Sequence, residues 1–92
     1  MDGDFAIGQS RLVTEQAQDI YLRRIDPSRN MARYYVLSIQ PTLFGGSSVV
    51  REWGRIGTRG QCKVELHDDL QQAEQVKTSI ERSKLRRGYS YR

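Results

Sequence analysis

The sequence predicts an α+β domain, an antiparallel meander of four to five strands with one C-terminal helix packed on one face. Three observations point there. Apolar residues alternate with period two in several stretches between residues 19 and 67. Pro, Gly, Asn and Asp punctuate the gaps between those stretches at turn positions. After Asp68-Asp69 the period lengthens to that of a helix, with no Gly or Pro from Leu70 to Arg87.

Residues 1–17 show neither period and are expected to form an irregular lead-in to a single domain over 18–92. A first strand is predicted near 19–25, where Ile20 and Leu22 alternate with Tyr21 and Arg23. Asp26-Pro27-Ser28-Arg29-Asn30 then supplies a turn, because Pro fixes φ and Asp and Asn bond their own backbone. The run 32–40 is rich in β-formers, with Tyr35, Leu37 and Ile39 on one face and Tyr34, Val36 and Ser38 on the other. Pro41 and Gly45-Gly46 break it, and Leu43 and Phe44 suggest a loop folded back onto the core.

The third strand, near 48–56, places Val49, Arg51, Trp53 and Arg55 on one face and Val50, Glu52, Gly54 and Ile56 on the other. A glycine-bounded link, 57–60, leads to a fourth strand over 61–67. There Cys62, Val64 and Leu66 oppose Gln61, Lys63, Glu65 and His67, and His67 is expected on the wet face. Asp69 is placed to cap the helix, with Gln72 three residues on as in a capping box. Leu70, Ala73, Val76, Lys77, Ile80 and Lys84 follow helical spacing, and cations gather near the end of the run before Gly88. Tyr89-Ser90-Tyr91 suggests a short last strand.

Composition narrows the function. A chain of 92 residues builds one modest core and has little room for an enclosed catalytic cleft. Cys62 and His67 each stand alone, so neither a disulfide within the chain nor a Cys/His zinc site is expected, and Cys62 reads as a buried thiol. No cofactor is called for. The start has aspartates where a signal peptide wants lysine or arginine, and no run approaches the ~20 apolar residues of a membrane span, so a cytoplasmic protein is expected. The net charge of +4 is uneven: residues 32–92 carry eleven Lys/Arg against six acids. That excess favours a polyanionic partner.

Catalysis finds little to work with. Cys62 and His67 alternate to opposite faces, no carboxylates are paired for acid–base work, and G-x-x-G at 57–60 is too short for a phosphate loop. A non-enzymatic binding module without a small-molecule substrate is expected instead. Arg51, Trp53 and Arg55 share one face of a strand, Lys63 joins them from the next strand, and Arg59 sits at the tip between. An aromatic ring among guanidinium groups suits an unstacked nucleotide, the ring stacking on base or sugar and the arginines meeting phosphates. The alternative at this point is that Trp53 is buried under the helix and the arginines are ordinary surface charges.

Trp53-Gly54-Arg55, followed by Ile56-Gly57-Thr58 and Gly60-Gln61, resembles the signature of the WGR domain. The likeness extends to Asp26–Tyr35 (DPSRNMARYY, which includes Asn30) and to Lys84 with Gly88-Tyr89, so it spans nearly the whole chain. This domain occurs in DNA-dependent poly(ADP-ribose) polymerases and in many small bacterial proteins, and its fold is an antiparallel sheet with one helix. The resemblance implies that Trp53 stacks at a terminal nucleotide and that Arg55 makes the charged contact. It also implies backbone-shaping roles for Gly54, Gly57 and Gly60 and packing roles for Tyr89 and Asn30. No catalytic domain accompanies the motif, so the implication is binding and not ADP-ribosylation. The expected partner is DNA at ends, nicks or single-stranded junctions, met by Trp53, Arg51, Arg55, Arg59 and Lys63, with RNA using the same stacking physics. The rival is a protein-interaction module whose Trp–Arg face docks an acidic partner.

Overall fold

The computed structural model describes residues 19–43 and 45–92. Strands β1 (Ile20–Asp26), β2 (Met31–Pro41), β3 (Ser47–Arg55), β4 (Gln61–His67) and β5 (Ser90–Tyr91) form one antiparallel sheet in the order β4-β3-β2-β1-β5. Helix α1 (Leu70–Arg86) follows β4 and crosses one face. The α+β meander with a C-terminal helix is therefore the fold, with Ser90–Tyr91 returning beside β1 as the short fifth strand. The expected lead-in at 1–17 lies outside the described residues.

Turn chemistry sets the register. Pro27–Arg29 form a single 3-10 turn that ends on Asn30 at φ 52°, a left-handed conformation that asparagine tolerates. The turn places Asp26 opposite Met31, and from there Leu22 opposite Tyr35. Gly57 and Gly60, both at positive φ, shape the β3–β4 hairpin, which sets Trp53 opposite Gln61 and Arg51 opposite Lys63.

The helix begins and ends as its sequence signals direct. Asp69 is extended, and its carboxylate accepts from the Gln72 amide at 2.8 Å. At the other end Gly88, at φ 99°, allows its own amide to bond Leu85 O and the Tyr89 amide to bond Lys84 O at 3.1 Å each. These two bonds make a Schellman stop. Ala73 and Lys77 are the buried helix residues, with Leu70, Val76, Ile80 and Leu85 packed partly around them. Burial lowers the Lys77 pKa, opposed by the nearby charges of Asp19, Glu81 and Glu74.

The core lies between α1 and the face carrying Leu22, Tyr35, Leu37, Ile39 and Val49. Leu22, Leu37 and Val49 are fully enclosed, each stabilising by about 1.5–3 kcal/mol through burial. That choice of face corrects several expectations. His67 projects to the helix side, where its side chain is only 13% exposed and Nε2 lies 3.1 Å from Glu65 Oε2. Cys62, expected as a buried thiol, projects to the uncovered face and is exposed. Its neighbours Val64 and Leu66 are 56% and 72% exposed on that same face. The helix covers the side bearing arginines because Tyr35, Leu37, Ile39 and Val49 bring more apolar area there than β4 offers on the other. Leu43, expected to fold back onto the core, is instead 96% exposed, and Phe44 lies outside the described residues.

Candidate functional site

Strand pairing assembles the site before any side chain is considered. Arg24, Arg33 and Arg55 lie in register across β1, β2 and β3, and Tyr35 lies opposite Trp53 in the next row. All project to the helix side, because directly opposed residues share a face. Like charges set opposite one another destabilise a sheet, so this arginine row is an electrostatic cost within the fold itself.

Trp53 sits half-buried at the border of the core. Its ring stacks on Tyr35 with centroids 5.9 Å apart and planes 19° from parallel, and Tyr35 meets Tyr89 edge-on at 6.2 Å. Such pairs add about 0.5–1.5 kcal/mol beyond area burial and hold the tryptophan in one orientation. The alternative of burial under the helix is thus half met. Trp53 packs against the core yet still lines a cleft of about 740 Å³.

The basic groups around this cleft are held in different ways. Arg55 donates to Asn30 O at 3.1 Å and to Asn30 Oδ1 at 3.3 Å. Both acceptors are neutral, so they orient the guanidinium without cancelling its charge. Lys84 Nζ stands 4.5 Å from the centre of the Tyr35 ring and 5.6 Å from that of Tyr89, a cation–π arrangement. Burial pushes the Lys84 pKa down, and the positive charges of Arg87, Arg51 and Arg33 push it further the same way. Arg51 differs, since its Nη2 donates to Glu65 Oε1 at 3.0 Å. Burial works against the Arg51 charge, but hydrogen bonds to Tyr35 and Glu65 outweigh it and raise the pKa. Arg51 Nε is buried without a hydrogen-bond partner, a cost that the bond from Nη2 to Glu65 has to offset.

The cleft brings together Trp53, Arg51, Arg55, Gly54, Asn30 and Tyr89 from the residues expected from sequence. It adds Arg29, Met31, Arg33, Tyr35 and Lys84, and no acidic residue lines it. Arg59 and Lys63 do not line it. Lys63 lies opposite Arg51 on the edge strand β4. Arg59 is in the hairpin, where its carbonyl accepts from Tyr34 Oη at 2.8 Å. Tyr34 belongs to the face away from the helix, so this bond draws the hairpin backbone to that side.

Gly54 and Gly60 are required by close approach. A Cβ on Gly54 would come within 2.7 Å of Gly60 Cα, and one on Gly60 would collide with Tyr34 Oη and the Trp53 carbonyl. Arg33 and Tyr35 were recoverable from the hairpin register, which sets them opposite Arg55 and Trp53. Lys84 is marked in the sequence by its part in the family likeness, and it reaches the site through the tertiary placement of α1. Among the described residues no cluster of His, Cys, Asp or Glu could hold a metal, and no helix is long and apolar enough to cross a membrane.

Comparison with known proteins agrees with this architecture. A family model described as the WGR domain matches residues 18–92. A protein of Sinorhizobium fredii (strain NBRC 101917 / NGR234), described as uncharacterized protein y4dW, is 44% identical over 89 residues. The match covers 97% of this chain but 44% of that relative, so the chain spans less than half its length. No solved structure matches significantly.

Proposed function

From the premise that this chain belongs to the WGR domain family, one associated with nucleic-acid binding, we propose that it is a non-enzymatic DNA-binding module preferring ends, nicks or single-stranded junctions. The observation that carries the proposal is the composition of the cleft. Two stacked aromatic rings are ringed by Arg29, Arg33, Arg51, Arg55 and Lys84 without a carboxylate in the lining.

The division of labour follows from how each group is held. Trp53 has one side committed to Tyr35, so its remaining surface is offered to a base or sugar. A plate seated in a cleft cannot slip between the stacked pairs of an intact duplex, but it can receive the terminal nucleotide of a broken one. Arg55, oriented by the neutral oxygens of Asn30, meets a phosphate bidentately. Arg33 and Lys84 complete the anion site, and phosphate there relieves the repulsion built into the arginine row. Arg59 and Lys63 lie outside the cleft and serve as flanking contacts to a longer strand.

Fluorescence anisotropy with nicked, blunt, single-stranded and intact DNA tests this reading. Trp53→Ala should weaken binding to nicked or blunt DNA by roughly 5- to 150-fold, the range expected for one stacked base, and affect intact duplex less. Equal losses on all substrates would remove the preference for ends. Absence of binding to every nucleic acid would shift the assignment to docking of an acidic protein on the same face.

A further inference from the structure

Strand β4 is one of the two outer strands of the sheet, and among the described residues nothing pairs with its far edge. It runs seven residues without proline, and its outward row Cys62, Val64 and Leu66 is apolar and exposed. Long, flat, apolar edges are templates for another strand. We propose that β4 pairs antiparallel with β4 of a second copy of this chain, on a two-fold axis through Val64.

Complementarity selects the occupant and the register. Centred on Val64, the pairing sets Val64 against its own copy and Cys62 against Leu66 of the second copy on the uncovered face. On the helix face it sets Lys63 against Glu65 of the second copy, twice, by symmetry. Opposite charges directly across an antiparallel pair are stabilising and like charges are not. Moving the centre by one residue sets Lys63 against Lys63 or Glu65 against Glu65. A half-residue shift places the charged face of one chain beside the apolar face of the other. The lysine on this edge thus guards against wrong registers while permitting one.

The axis stands perpendicular to the sheet, because helix-face residues pair with helix-face residues. Both Trp53 clefts therefore open on the same side. Trp53 lies one strand in from β4 and three residues along from Val50, the partner of Val64. Ordinary strand spacing then puts the two tryptophans about 25 Å apart. The dimer presents paired anion sites to one surface, so a single nucleic acid can engage both.

Sedimentation equilibrium on the full chain reads the mass directly, and a concentration-dependent rise toward twice 10.7 kDa is expected. Lys63→Glu alone and Glu65→Lys alone should each raise the dimer dissociation constant at least about ten-fold, by setting like charges opposite one another. Mixed in equal amounts, the two variants should recover association, because each then finds opposite charges on the other. Circular dichroism of each variant separates loss of pairing from loss of folding. In a Cys62→Ser background, Val64→Cys should cross-link on mild oxidation, since the paired positions fall within disulfide reach. Wild-type Cys62, offset by four residues from its copy, should not. A chain that stays monomeric throughout overturns the proposal. So does a dimer that ignores both charge reversals or fails to cross-link at 64.

Discussion

At the scale of single residues, Lys84 shows how the cleft handles charge. Its ammonium rests on Tyr35 and Tyr89, and burial followed by Arg87, Arg51 and Arg33 depresses its pKa. The sign of the consequence follows. In the free protein the charged form is disfavoured, so a phosphate that favours the charged form raises the pKa toward the ordinary lysine value. Binding therefore takes up a proton in the alkaline window between the two values, and affinity falls as pH climbs through it. Isothermal titration in buffers of different ionisation enthalpy checks this, and Lys84→Met should abolish that proton uptake. Glu65 behaves oppositely. The hydrogen bond from Arg51 holds its pKa down, so its contribution to folding is present near neutrality and lost as pH falls through the depressed value.

At the scale of elements, the β3–β4 hairpin couples the site to the fold. Gly60 stands at φ 72°, and a Cβ added there would run into Tyr34 Oη and the Trp53 carbonyl. Gly60→Ala therefore combines left-handed strain of about 1–3 kcal/mol with a steric clash. Thermal denaturation should show a lower Tm, and tryptophan emission should shift as the Trp53 backbone moves. Strand periods and turn residues made these elements legible without a structure, including the Asp69 cap and the Gly88 stop. What they could not show was which sheet face the helix would choose. Both faces of β3 and β4 carry apolar and polar residues, so alternation is symmetric between them. Only the summed apolar area of Leu22, Tyr35, Leu37, Ile39 and Val49 decides it. That single missing choice accounts for the misplacement of both Cys62 and His67. The tryptophan and two of its arginines were legible because the motif is continuous along one strand. Arg33, Tyr35 and Lys84 come from other elements and join through register and helix placement.

At the scale of the whole molecule, four of the eleven Lys/Arg after residue 31, namely Arg33, Arg51, Arg55 and Lys84, join Arg29 in one cleft beside the last turn of α1. Salt dependence measures how much of that charge meets phosphate. Arg33, Arg55 and Lys84 have no carboxylate partner in that lining, whereas Arg51 and Arg29 are shared with Glu65 and Asp26. The slope of log K against log salt on duplex ends should then lie between about −2.7 and −4.5, the values for three and for five phosphates neutralised. A slope near zero would mean that phosphates are not the ligand.

The sequence contains one tryptophan, so its emission reports the stacking plate and nothing else. Titrating the protein with a short blunt or nicked duplex should quench Trp53 fluorescence, saturating at the same concentration as anisotropy of the labelled DNA. A circular duplex without ends, at equal nucleotide concentration, should quench far less. Binding that saturates by anisotropy while Trp53 emission stays unchanged would contradict the account, because nucleic acid would then be held somewhere other than the tryptophan cleft.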